Sequence, residues 1–156
     1  AQAVPVLFRL ALDMAAAAYQ RDGKLSGIST GLNDLDQRLG GLQHSDLVIL
    51  AGRPGMGKTA LATNIAFNIA KAYKFEVEPD GTHKTTNGGI VGFFSLEMSA
   101  DQLATRIVAE QAAIPSYKIR RGDMREDEFY KLTQAAQEIQ SLPLYIDDTG
   151  GLSIVQ

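Results

Sequence analysis

Apolar positions along the chain alternate between a helical period and short unbroken runs. Leu7, Leu10, Ala11, Met14 and Ala18 recur at helical spacing behind Pro5, a residue suited to a first helical turn, so residues 1–22 are predicted to be a helix. The polar, glycine-bearing "RDGKLSG" that follows reads as a linker, placed at 23–28. In "STGLNDLDQRLGGLQ", Ser29 or Thr30 is expected to cap a short helix carrying Leu32, Leu35 and Leu39, ended by Gly40-Gly41. "DLVILA", Asp46 to Ala51, reads as a short buried strand. From Lys58 to about Lys74, Leu61, Ile65, Ala66, Ile69 and Tyr73 line one helical face.

The stretch from Lys74 to Gly89 is polar and without period, and is expected to be a mobile surface loop away from the chemistry. "IVGFFS", Ile90 to Ser95, is a second strand. Ser99 with Gln102 forms a capping box for a helix carrying Leu103, Ile107 and Val108. Asp123 with Glu126 is expected to open a further helix with Phe129, Leu132 and Ile139 inward, and "PLYID" is a third strand. Strand, helix, strand, helices, strand implies an α/β fold with a parallel sheet flanked by helices. Three strands rarely complete such a sheet, so the chain is expected to hold part of a larger one.

The sharpest chemistry lies in "GRPGMGKT", Gly52 to Thr59, which satisfies the phosphate-loop pattern G-x-x-x-x-G-K-[ST] between a predicted strand and a predicted helix. Glycines allow successive backbone N–H groups to turn inward around a phosphate. The helix that follows aims its positive dipole end and unpaired amides at the same anion. The loop residues Gly52, Arg53, Pro54, Gly55, Met56 and Gly57, with Lys58, Thr59 and Ala60, are therefore the expected nucleotide site. Lys58 is expected to place a charge on the β- and γ-phosphate oxygens, and the Thr59 hydroxyl to complete the shell of a Mg²⁺ ion brought with ATP. The dinucleotide fingerprint G-x-G-x-x-G is absent, which disfavours a dinucleotide cofactor. Glu97 follows the second strand, at the carboxyl edge of a parallel sheet where ligands bind. There it either polarises the attacking water or merely favours the dipole of the next helix.

Composition narrows this little. The chain has 156 residues, 45% hydrophobic and 21% charged, which fits one ordinary globular domain. With no cysteine, a disulfide framework and a cysteine-ligated zinc are excluded, and a cytoplasmic location is expected. No apolar run approaches the roughly 18 residues that span a bilayer, so no membrane association is expected. A net charge of −3 neither suggests nor excludes nucleic acid.

The order "STGLNDLD", "GRPGMGKT", "FFSLEMS" and "LYIDD" resembles the RecA-like ATPase domain of the DnaB-type replicative DNA helicases, from about Ser26 to Gln156. The resemblance implies a P-loop NTPase domain over 29–156 and a homo-hexameric ring that uses ATP to move 5′→3′ on single-stranded DNA. Contacts with a primase and a helicase loader are implied as well. It makes Glu97 the catalytic glutamate and puts Arg106 near bound nucleotide, against the plainer reading of a solvent-facing helix residue. It turns residues 1–22 into a linker helix docking on a neighbouring subunit, the alternative being packing on its own domain. Asp147 resembles a metal-binding aspartate, but in such helicases this strand precedes the one that carries it, which favours Asp147 as a strand-end acid or one that supports the metal site from behind its ligands. Lys118, Arg120 and Arg121 form a basic cluster, a solvated loop or a DNA contact. The metal aspartate, arginine finger and DNA loops of a complete motor are not in the chain, so slow hydrolysis and no unwinding are expected of it alone. Two rivals are a RecA/RadA-type recombination ATPase, disfavoured by "FSLEMS" and the lack of cysteine, and an interaction module gated by nucleotide.

Overall fold

The computed structural model describes residues 4–20 and 25–151. The chain divides into two compact units, residues 1–48 and 49–156. The expected linker at 23–28 lies partly outside the described residues.

In the first unit, α1 (Val4–Gln20) forms where the period predicted it. Every described side chain of α1 is exposed, Phe8, Leu12 and Tyr19 among them. After it, α2 (Asn33–Leu39) ends at Gly40 as expected. Its start differs from expectation, because the residue before it is Leu32 and makes no side-chain cap. Ser29 and Thr30 instead turn their hydroxyls onto the buried Asp36 carboxylate, at 2.6 and 2.7 Å, and the Thr30 N–H adds a third bond at 2.8 Å. A carboxylate with three donors outcompetes the weaker backbone capping bond. An antiparallel bridge between Ile28 and Leu42 closes the loop around this clamp.

The second unit centres on α3 (Lys58–Lys71), which buries Thr63, Ala66, Phe67, Ile69 and Ala70. Two parallel strands, β3 (Val91–Phe94) and β4 (Leu144–Asp147), pair in register from Val91↔Leu144 to Phe94↔Asp147. Between them run α4 (Ala100–Ala112), α5 (Ser116–Arg121) and α6 (Glu126–Gln140). These helices enclose a core of Ala112, Ile114 and Ala135 with Val108, Ile119, Met124 and Leu132 around it. Leu103 on α4 is completely buried.

Four expectations are corrected. Asp46–Ala51 forms no strand: no described residue offers it a ladder, and Leu47 and Ile49 stand 86% and 79% exposed. An apolar run becomes a strand only beside a partner that takes up its amides and carbonyls. The supposed loop from Lys74 to Gly89 is an antiparallel hairpin of β1 (Lys74–Val77) and β2 (His83–Asn87), with Phe75 stacked on His83 at 4.4 Å. Its turn is the "EPDGT" segment, where Asp80 accepts from the Thr82 N–H and hydroxyl. The last long helix starts at Glu126 rather than Asp123, because the Arg125 N–H donates to Glu128 at 3.0 Å. Finally, Phe129 points outward at 59% exposure, while Leu132 packs on the core.

Candidate functional site

Gly52 to Gly57 forms a short exposed loop that runs into α3. Gly55 and Gly57 sit at φ +77° and +85°, a left-handed backbone that side chains rarely adopt, and no atom would lie within 4 Å of a β-carbon on either. Their conformation reverses the chain so that Gly57 becomes the residue before α3, whose first backbone bond joins Leu61 N–H to Gly57 O. The Met56 N–H donates to Arg53 O at 3.2 Å and tightens the loop. Lys58, Thr59 and Ala60 are the first three helical residues, so their amides have no acceptor inside the helix and face the loop end. The Lys58 ammonium arches back, donating to the carbonyls of Gly52 at 2.9 Å and Arg53 at 3.2 Å. The loop therefore combines exposed backbone, three helix-start amides with no helical acceptor and the Lys58 ammonium, donors that suit a phosphate.

The loop occupies the amino end of α3. At the far end of the helix, the Gly89 N–H donates to Ile69 O at 3.2 Å, and β3 begins two residues later. The carboxyl end of α3 thus lies at the start of β3. α3 packs beside both β3 and β4, and with its carboxyl end held at the start of β3 its first turn, with Lys58, points away from that end. Glu97 lies beyond the carboxyl end of β3, in the bend Leu96–Met98, where Leu96 and Glu97 are exposed and Met98 is half-buried. The Ser95 hydroxyl closes this turn twice, donating to Met98 O at 2.6 Å and accepting from Met98 N–H at 3.1 Å.

Arg106 is placed differently. It lies half-buried on α4 and lines a cleft of about 430 Å³ with Met98, Asp101, Gln102, Thr105, Ser116 and Arg120. No residue of the Gly52–Ala60 loop borders that cleft. The basic cluster is split as well: Lys118 pairs with Glu128 at 2.9 Å, while Arg120 faces the Arg106 cleft. The Glu128 carboxyl is held below its ordinary range by the Arg125 backbone N–H and by Lys118. Asp147 turns its carboxylate to the Thr149 N–H at 2.8 Å, and bonds from Thr149 hold its pKa down, as suits a strand-end acid.

Among the described residues no group of three or more His, Asp or Glu side chains is arranged to hold a metal. Magnesium asks for less: it keeps several waters and is held largely by substrate phosphates. Thr59, in the first turn of α3, is the residue of the loop that offers a hydroxyl to such an ion. Sequence reasoning missed Ser95 and Asp148, whose hydrogen bonds hold the Glu97 turn and the start of α4. Their signal was only an unexplained serine before "LEM" and a doubled aspartate.

A family model described as the DnaB-like helicase C terminal domain matches residues 27–156. The chain is 44% identical over 137 residues to the replicative DNA helicase DnaB of Rickettsia prowazekii, covering 88% of this chain and 27% of that protein. It is 46% identical over 130 residues to the protein of that name from Synechocystis sp., covering 83% of this chain and 13% of the relative. Among solved structures, the "ATPase Domain of G40P" matches with a TM-score of 0.76 at 26% identity, covering 96% of this chain and 48% of that one. A structure titled as a DnaB-like replicative helicase and its interactions with primase also matches with a TM-score of 0.76, at 27% identity over 99% of this chain and 33% of its own. This chain thus spans about a quarter or less of the curated relatives. No described helix is long and apolar enough to cross a membrane.

Proposed function

Because the chain belongs to the DnaB-like helicase C-terminal domain family, with the RecA-like ATPase fold of its structural neighbours, we propose that it is the nucleotide-binding part of a replicative DNA helicase motor. Its site takes ATP with Mg²⁺ and turns hydrolysis into 5′→3′ movement on single-stranded DNA. The observation that supports this reading is a phosphate-loop turn leading into α3, which packs on a parallel strand pair whose first strand leads into an exposed glutamate.

Each residue has a physical part in the proposal. The amides of Lys58, Thr59 and Ala60 and the loop from Gly52 to Gly57 cradle the β-phosphate. Lys58 exchanges its two carbonyl acceptors for β- and γ-phosphate oxygens, a stronger partner because both groups are charged. The Thr59 hydroxyl joins the oxygens around the magnesium that arrives with the nucleotide. Arg53, Pro54 and Met56 shape the loop. Glu97 accepts a hydrogen bond from the attacking water and aims it at the γ-phosphorus. Arg106 is assigned a place near the bound nucleotide.

We infer that α1 belongs to a linker segment, 1–22, that docks on a neighbouring copy in a homo-hexamer, since the described apolar side chains of α1 lie exposed. A primase partner is proposed by analogy with the DnaB-like replicative helicase solved for its interactions with primase; a helicase loader and a cytoplasmic setting complete the proposal.

Replacing Glu97 with Gln in the complete gene product tests the reading. Turnover should fall by about 10²–10⁴-fold while ATP binding is retained. Unchanged turnover would instead support a module that uses ATP as a switch.

A further inference from the structure

The segment that carries Glu97 is tied at both of its ends to the exit of β4, at Asp147 and at the residue after the strand, Asp148. At its start, the Ser95 N–H donates to Asp147 O at 2.8 Å. At its finish, the Ala100 N–H donates to the Asp148 carboxylate oxygen Oδ2, also at 2.8 Å. Ala100 is the first residue of α4, where an amide has no acceptor within the helix. Two other amides at this end have partners of their own. The Ser99 hydroxyl accepts from Gln102 N–H, and the Gln102 side chain accepts from Ser99 N–H, both at 3.4 Å.

The two neighbouring aspartates divide the work. Asp147 spends its side chain on Thr149 and so closes its own turn. Asp148 is thereby left to reach across to the neighbouring strand's exit. Between the two ties, the Ser95 hydroxyl holds the turn shut from inside. Six residues, Ser95 to Ala100, are thus held at both ends and at the middle, with Glu97 at the exposed apex.

We propose that Asp148 is a positioning residue for Glu97, acting through the Ala100 amide as a neutral-tolerant hydrogen-bond acceptor rather than as a metal ligand. The inference rests on the reading of Glu97 as the residue that aims water. An in-line attack is sensitive to placement, and a shift of about 1 Å in a catalytic group costs up to about 100-fold in rate. Loosening the tie lets the turn wander without touching the phosphate loop, so the defect belongs in kcat and not in nucleotide affinity.

The test uses the complete gene product and steady-state ATP hydrolysis. Asp148→Ala should lower kcat about 10- to 100-fold with KM for ATP unchanged. Asp148→Asn, which keeps an oxygen acceptor but not the charge, should recover most of that loss. Asparagine failing as badly as alanine would overturn the proposal, as would an alanine variant with wild-type kcat. Glu97→Gln in the same assay separates the layers. If it is inactive while Asp148→Ala is not, the positioning role alone falls; if it retains full turnover, the reading of Glu97 falls and this inference with it. Should Asp148→Ala fail to fold, amide exchange in the unmodified protein decides. The Ala100 amide should exchange more slowly than that of Asp101, and equal rates would overturn the tie.

Discussion

Gly88 lies against the Ala72–Tyr73 peptide at the end of α3: a β-carbon on Gly88 would come within 2.6 Å of both the Ala72 carbonyl carbon and the Tyr73 nitrogen. It would also strike Ile69 O, and its φ of +56° is left-handed. This close approach allows the chain to leave the β1–β2 hairpin and enter β3 directly beside the helix end. It sets the carboxyl end of α3 beside the start of β3, with Lys58 at the other end of the helix.

Gly88→Ala is therefore expected to destabilise the protein by about 2–4 kcal/mol, combining backbone strain with a clash that a flexible side chain cannot relieve. Urea unfolding measures it. A change within about 0.5 kcal/mol, the size of an ordinary surface substitution, would mean that the helix end does not rest on this glycine.

Asp36 gives the first unit its pH dependence. Burial alone would raise its pKa, but bonds from Ser29, Thr30 and Gly31 outweigh that and hold it below the ordinary 3.8. A carboxyl with a lowered folded-state pKa stabilises above its unfolded value and loses that contribution as pH falls through the folded one. Stability should thus be flat in this respect near neutrality and decline below about pH 4. Asp36→Ala removes the acceptor of three hydrogen bonds and should cost about 2–4 kcal/mol at pH 7, while flattening the acid limb. Denaturant midpoints taken between neutral and strongly acid pH check both statements.

The exposed face of α1 predicts an assembly defect without a folding defect. Phe8 and Leu12 are 68% and 70% exposed and one helical turn apart. Replacing both with Ser should leave the thermal unfolding of the remaining chain in place and shift the complete gene product to smaller species in sedimentation. Unchanged sedimentation would remove α1 from the interface.

Much of this was legible in the chain because the informative signals are local. A phosphate loop needs glycines, lysine and threonine at fixed spacing, and the Ser99–Gln102 box sets a helix start within four residues. The failures came where a distant or competing partner decides. "DLVILA" has the composition of a strand and no described ladder partner. Ser29 and Thr30 look like caps until Asp36, six or seven residues on, takes their hydroxyls. The hairpin was readable in principle: "PDG" is a turn signal, and Phe75, Val77, His83 and Thr85 share a face by alternation and register. Low hydrophobicity hid it. The site's supporting bonds, Ser95 to Met98 and Asp148 to Ala100, were invisible because serine and aspartate suit a bare loop equally well.

The central claim is that the Gly52–Thr59 loop grips a nucleotide triphosphate through Lys58, and calorimetric titration of the complete gene product with a non-hydrolysable ATP analogue and Mg²⁺ tests it most directly. Saturable binding should appear, and Lys58→Ala should weaken it about 10- to 100-fold, as expected for losing charged hydrogen bonds worth about 1.5–3 kcal/mol. Equal affinity in the two proteins, or no heat of binding in the unmodified one, would contradict the account.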